Sequence, residues 1–381
     1  MIITSSRKNI DFVYNSYMAI SVEVADRPFE FSLPSDWDLG PLKLQGPQEF
    51  YEDFLNSVRE AEHSVRIRTM FYLPGRSFVS PISEKLKDAA GRGVSVQVVT
   101  DGASAAFINQ TEVGWPGKKL TPVEELFIRQ NLAHMEGLKE SGVDVGCSSP
   151  LKGRKRLVNF FKADHNKLFT VDSKIAWGAG GLGNLIDRGF TWIDFIAKTE
   201  NINLVEAMEE LILRYESKPR GNYSLAALPD YDFLVDVGLS KSLIFERATR
   251  MVEDEEDEVL FISQFLPDGK LLNEMVDKAK HGTWVKVYTS SPDERFFNLA
   301  PYKWEFQRLW GIIRRSEIDL KFTNLPCRVH AKGILNSKSS LITSHNLTRL
   351  GEWAKVQENG IYSEDPRLRR QLKHFIESVP V

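Results

Sequence analysis

Two short stretches carry side chains that could do chemistry together. His165-Asn-Lys167 opens an octapeptide ending at Asp172, the pattern HxK(x4)D, and a Gly-rich run from Gly178 to Asn184 follows. The pattern returns as His330-Ala-Lys332, with Ser337 in the place of the Asp and Thr343-Ser-His-Asn346 behind it. Side chains two apart on a strand lie on one face. Two such strands brought together would set two imidazoles and two ammonium groups around one point, which suits a phosphodiester. Lys167 and Lys332 would neutralise its anionic oxygens, and Asn184 and Asn346 would add neutral donors. One imidazole can attack phosphorus to give a phosphohistidine. The other can protonate the leaving alkoxide, then deprotonate the incoming water or alcohol. This chemistry calls for no metal and no other cofactor, and the seven histidines show no metal-ligand spacing with Asp or Glu.

An attacking imidazole presents one nitrogen while an acceptor, usually a carboxylate, holds the other. A carboxylate follows each motif at a comparable distance: Asp194 in Trp192-Ile-Asp194-Phe, and Glu358 in Gln357-Glu358-Asn359-Gly. Taken in chain order, Asp194 orients His165 and Glu358 orients His330. One copy of the motif would read as readily as a polar strand end; two copies in matching order favour the chemical reading. His345 is near the second motif by sequence. The remaining four histidines, His63, His134, His281 and His374, read as surface or satisfied helix residues.

The elements that must position these residues repeat as well. Phe50, Phe54, Leu55, Val58 and Ala61 mark an amphipathic helix from Glu49 to Ala61. Ser64 to Tyr72 alternates as a strand, a helix runs from about Ser80 to Ala90, and Val94 to Val99 is a second strand ending at Asp101-Gly102. In the second half, Leu243–Val252 is helical, Val259–Ile262 is a strand, Leu271–Ala279 a helix and Val285–Thr289 a strand. Helix–strand alternation predicts parallel α/β units. The expected fold is α/β: two similar lobes from an internal duplication, related by a pseudo-twofold axis, with mixed, mostly parallel sheets, flanking helices and the active site between lobes. The expected divisions are a prefix over residues 1–45, a first lobe over 46–218 and a second over 219–381. The prefix has strand-like runs at Asp11–Tyr14 and Ile20–Val24 and reads as edge strands on the first lobe.

Composition limits the partners. The 381 residues are 42% hydrophobic and 27% charged with net charge −3, so no global basic excess points to nucleic acid. Two distant cysteines, Cys147 and Cys327, make no disulfide framework and imply a reducing compartment. No window approaches the roughly 18–20 apolar residues of a spanning helix, and the N-terminus lacks a secretory signal pattern. Two stretches nevertheless suit a membrane surface. Leu151–Lys162 mixes basic residues with Phe160 and Phe161, and Phe296–Arg315 is aromatic with basic ends. The second reads equally well as a core-packed helix. The same mixture could grip single-stranded nucleic acid. The acidic run Glu253–Glu258 reads as a solvated helix end or turn.

The paired HxK motifs resemble those of the phospholipase D superfamily over roughly residues 48–375. The element order, Arg92-Gly93-Val94 before a strand, Asp101-Gly102 and Trp192-x-Asp194 are most similar to the cardiolipin synthase and bacterial phospholipase D branch. The resemblance implies a metal-independent phosphatidyl transfer to an alcohol or water through a phosphohistidine. It gives the attack to His165 and acid–base work to His330, and makes Asp172 and its counterpart Ser337 structural. Asn184 lies two residues later than the family spacing and Asn346 one earlier. The expected partner is an anionic glycerophospholipid at a membrane surface, met by a cytoplasmic, peripherally attached protein, with a homodimer among the assemblies the family allows. Two other functions fit the same motifs: a nuclease acting on nucleic acid, and a catalytically weak phosphate-binding module.

Overall fold

Each half of the chain builds the helix–strand–helix–strand run that its periodicity predicts. The computed structural model describes residues 30–70, 72, 79–101, 129, 133–148, 164–181, 192–215, 221–237, 241–290, 300–323, 328–348 and 356–381. The first half contributes β1 (Lys43–Gln45), α1 (Pro47–Glu60), β2 (Ser64–Thr69), α2 (Val79–Gly91), β3 (Ser95–Thr100), β4 (Asp144–Cys147), β5 (Leu168–Val171), β6 (Ile175–Gly178), β7 (Trp192–Ile193), β8 (Ile196–Thr199) and α3 (Ile202–Leu213). The second contributes β9 (Tyr223–Leu228), β10 (Tyr231–Val237), α4 (Leu243–Glu253), β11 (Glu258–Ile262), α5 (Gly269–Lys280), β12 (Trp284–Ser290), α6 (Ala300–Ile313), β13 (Asp319–Thr323), β14 (Arg328–Val329), β15 (Gly333–Leu335), β16 (Ser340–Thr343), β17 (Gln357–Ser363) and α7 (Pro366–Glu377).

The duplication is visible in the strand orders. One sheet reads β4-β3-β2-β5-β6-β8-β1, the other β13-β12-β11-β15-β16-β17-β10-β9. They match position by position, and the second adds only β9. The sheets are mixed, but the expectation of mostly parallel pairing is corrected. Only β2–β3–β4 and β11–β12–β13 run parallel; every other pairing in both sheets is antiparallel. The cause is local. Helical crossovers return a strand parallel, whereas the tight turns at Asp172–Lys174 and Asn336–Ser339 return it antiparallel.

Sequence spacing explains what the helices bury. In α1, Phe50, Phe54 and Val58 recur every four residues and face inward, with both phenyl rings edge-on to Phe169 at 5.1 and 5.2 Å. Ser242 caps α4 by accepting from the Phe245 N–H. Each lobe has its own apolar cluster, and a third draws Leu168, Phe195 and Met208 together with Phe233, Leu260 and Phe375, so apolar packing joins the lobes. The end of the prefix forms an edge strand: β1 pairs antiparallel with β8. Gln371 of α7 accepts from Leu44 N and donates to the Leu42 carbonyl, both at 2.9 Å, tying the last helix to that edge. The strand-like runs at residues 11–14 and 20–24 lie outside the described residues, as do Gly102 and Cys327.

Helix α6 is both core and surface. Leu309 and Ile313 are buried, and Trp310 stacks on Phe322 at 4.8 Å, yet Trp304 is 65% exposed. No helix among the described residues is long and apolar enough to cross a membrane.

Candidate active site

The site is assembled by two short parallel contacts that cross between lobes. Val329 pairs with Ile193 in the β14–β7 ladder, and Asp164 bridges Gln357 in the same parallel sense. Each contact sets the residue before a motif histidine opposite the residue before a carboxylate. The next backbone hydrogen bonds match: His330 N to the Ile193 carbonyl and His165 N to the Gln357 carbonyl, each 2.9 Å. His165 Nδ1 therefore lies 2.9 Å from Glu358 Oε1, and His330 Nδ1 lies 2.7 Å from Asp194 Oδ2. This corrects the pairing expected from chain order. Each histidine takes its carboxylate from the other lobe, because strand exchange at the seam, rather than sequence proximity, decides which side chains meet.

The histidines and lysines sit in matching gaps, residues 165–167 before β5 and 330–332 before β15. Both lysines are buried. Lys167 Nζ donates to the His165 carbonyl at 2.8 Å, and Lys332 Nζ donates to the His330 carbonyl. Burial lowers Lys167 below the usual lysine range, opposed by the charges of Glu358, Asp194 and Asp164. Burial also pushes Lys332 down to about 7, with Asp194 opposing the shift and Lys167 adding to it. The same site lowers His330 to about 4, first by burial and then by Lys332. Burial alone would raise Glu358, but the contact with His165 outweighs it and holds this carboxylate down at about 2. Trp192 covers His330, ring centroids 4.5 Å apart.

Several supporting residues escape a sequence reading. Ser344 Oγ donates to Glu358 Oε2 at 2.5 Å and accepts from Asn359 N at 3.0 Å. Asn359 accepts from Ala179 N and donates to the Asn166 side chain, at 3.0 and 2.8 Å, pinning the residue between His165 and Lys167. A Cβ on Gly181 would collide with the His330 carbonyl and the Asp194 carboxylate. Part of the Gly-rich run is therefore a requirement of close backbone approach.

The two motif ends solve one problem differently. Asp172 accepts from Glu62, His63 and Ser64 N at 2.8–3.0 Å, fixing the start of β2. At the matching place Ser337 donates its N–H (2.9 Å) and hydroxyl (2.7 Å) to Glu255, which also accepts from Asp257 N at 2.7 Å. The carboxylate has moved from one side of the contact to the other. Glu255 is buried, so the acidic run is not simply the solvated turn expected of it.

His345 is buried with Nδ1 accepting from Leu347 N at 2.8 Å, and burial lowers its basicity. Its Nε2 and the side-chain oxygen of Asn346 are buried without a hydrogen-bond partner. Asn184 and the stretch Leu151–Lys162, with Phe160 and Phe161, lie outside the described residues, as do residues 296–299.

Residues 54–217 match the family model described as "Cardiolipin synthase, PLD-like domain". No curated protein matches the chain by sequence. Among solved structures, phosphatidylserine synthase from Haemophilus influenzae Rd KW20 aligns with a TM-score of 0.63 at 13% identity, over 97% of this chain and 91% of that one. Polyphosphate kinase from Porphyromonas gingivalis aligns with a TM-score of 0.55 at 14% identity, over 88% of this chain and 49% of that one. At such identities the likeness is one of fold.

Proposed function

We propose that this chain, whose residues 54–217 match a phospholipase D-like family model, transfers a phosphatidyl group from a glycerophospholipid to an alcohol or to water. The observation that carries the proposal is the crossed pair of imidazole–carboxylate contacts with two buried lysines at one seam. Each carboxylate takes the Nδ1–H of its histidine and leaves Nε2 directed away from it. His165 Nε2 attacks phosphorus, as the family resemblance implies; the P–O bond to the leaving alcohol breaks and a phosphohistidine forms. His330 gives a proton to that alkoxide and later takes one from the incoming water or alcohol, whose oxygen displaces His165. Lys167 and Lys332 hold the phosphoryl oxygens. Burial first, and then the charge of Lys332 and Lys167, lowers His330 in the free site; a bound phosphate anion offsets the lysine charge and so favours protonation of His330.

A lipid substrate is supported by the match of residues 54–217 to a cardiolipin synthase-type family model, by the fold shared with a phosphatidylserine synthase and by the outward Trp304 on α6. The protein would then work at a membrane surface as a peripheral enzyme. The test is incubation with phosphatidylglycerol vesicles and, separately, with single-stranded DNA, each with a chelator present. Lipid turnover that disappears in His165→Ala supports the proposal. Turnover of DNA but not lipid would make the chain a nuclease, and turnover of neither a phosphate-binding module.

A further inference from the structure

The two halves of the site are supported in different ways. Arg68 on β2 is buried and grips three partners, meeting Asp164 Oδ2 through Nη2 (2.7 Å) as well as Nε. Its Nε lies 2.7 Å from Asp164 Oδ2, its Nη2 lies 2.9 Å from Gln357 Oε1, and its Nη1 donates to the Leu211 carbonyl. Asp164 directly precedes His165 and Gln357 directly precedes Glu358, so one guanidinium holds both sides of the bridge that crosses the lobes. The side-chain nitrogen of Gln357 is buried with no partner, so its amide is held through the oxygen that Arg68 grips.

The second half has the same geometry with none of this chemistry. Arg68 pairs with Leu168 in its sheet, three residues after His165; Ile262 pairs with Gly333, three residues after His330. Ile262 is thus the counterpart of Arg68. By the matching bridges Val329 is the counterpart of Asp164, and Ile193 of Gln357. An arginine, an aspartate and a glutamine in one half stand where isoleucine, valine and isoleucine stand in the other. All six are buried.

An apolar trio satisfies the fold at this position, as the second half demonstrates, so burying a charge under His165 is not required for packing alone. A planar fork with fixed donors does what aliphatic contacts cannot: it fixes direction as well as distance. We propose that Arg68 is a positioning residue, which by gripping Asp164 and Gln357 together fixes the contact between His165 and Glu358 across the seam. The half of the site that must present its imidazole most accurately to phosphorus is then the half with the directional clamp.

The test uses the full chain carrying Arg68→Met together with Asp164→Asn. The pair removes both charges at once, and the introduced carboxamide keeps an oxygen for the Asn166 contacts that Asp164 now accepts. The readout is the downfield proton NMR signal of each histidine N–H bound to a carboxylate, assigned by its disappearance in His165→Gln or His330→Gln. With a cooperative melt confirming the fold, the His165 signal should vanish or broaden while the His330 signal stays. Retention of both signals would overturn the proposal, as would loss of both, because the effect would then be absent or not local. A second arm rests on the function proposed above: kcat for phosphodiester turnover should fall about 100-fold with little change in KM. An unchanged kcat in an enzyme that turns over lipid also overturns it. If the parent protein turns over no phosphodiester, the functional reading fails while the NMR arm still decides the role of Arg68.

Discussion

His330 Nδ1 meets Asp194 Oδ2 at 2.7 Å, and the two residues belong to different lobes. His165 and Glu358 repeat the relationship in the opposite direction at 2.9 Å. Neither lobe alone completes either of these two pairs. In the proposed function the lobe interface is therefore part of the chemistry, and a change that shifts one lobe against the other strikes both pairs together.

Activity should respond in this crossed pattern. Glu358→Gln should mimic loss of His165 function and Asp194→Asn loss of His330 function, each lowering kcat about 10²–10⁴-fold. In double-mutant cycles, His165 with Glu358 and His330 with Asp194 should be strongly non-additive. Coupling found instead between His165 and Asp194 would show that the in-order pairing governs the working enzyme.

Ser337 and Glu255 predict a rescue. Glu255→Ala removes a buried carboxylate that accepts from the part-buried donors of Asp257 and Ser337, and should cost roughly 2 kcal/mol in urea melts. Ser337→Asp puts a second carboxylate beside Glu255 and should destabilise as well. The combination of Ser337→Asp with Glu255→Ala restores the arrangement seen at Asp172, and should be more stable than either single variant. A double variant no better than the worse single one would mean that the two ends do not solve the same problem.

Much of this site is legible in the sequence, and the part that is not has one cause. His165, Lys167, His330 and Lys332 declare themselves by residue type and spacing, and the strands before them by alternation. The partner of each carboxylate does not, since the crossed bridges exist only once two lobes pack. Arg68 sits in an alternating strand, where Arg66 and Arg68 look like one solvated face; yet Arg66 is half-buried against Glu209 and Arg68 is fully buried. Glu255 hides in a run of acids because its role depends on a turn formed against a residue 82 positions away. Periodicity reports which face is buried, but not which buried polar groups will find one another.

Gly181 should tolerate no side chain. A methyl group there meets the His330 carbonyl and the Asp194 carboxylate, both parts of one histidine–carboxylate pair. Gly181→Ala should lower kcat about 100-fold, as expected for a displacement on the order of 1 Å at a reacting group. Gly221→Ala, where nothing lies within 4 Å of the added methyl, is the matched control and should leave activity intact. Equal activity in the two variants would show that the seam is looser than this contact requires.

Acid should destabilise the fold well above the usual carboxylate range, and His330 should be a main cause. The unfolded chain protonates this imidazole near 6.5, whereas burial and Lys332 hold the folded one at about 4. Between those values the unfolded state binds more protons, so stability rises with pH across the window and is lost as pH falls through it, by roughly 3 kcal/mol from this group. Glu358 continues the trend below: its folded carboxyl lies near 2, so its contribution is present above 4.5 and fades as pH drops from there. Asp236 acts the other way. Burial raises it to about 6, so it favours the folded state at low pH and loses that contribution as pH rises through 6. Urea melts from pH 7.5 to 4 should therefore show a net loss of stability toward acid. In His330→Gln the slope between 6.5 and 4 should flatten or, with Asp236 left to dominate, reverse. A slope in His330→Gln as steep as in the parent would mean that His330 is not held neutral by its surroundings.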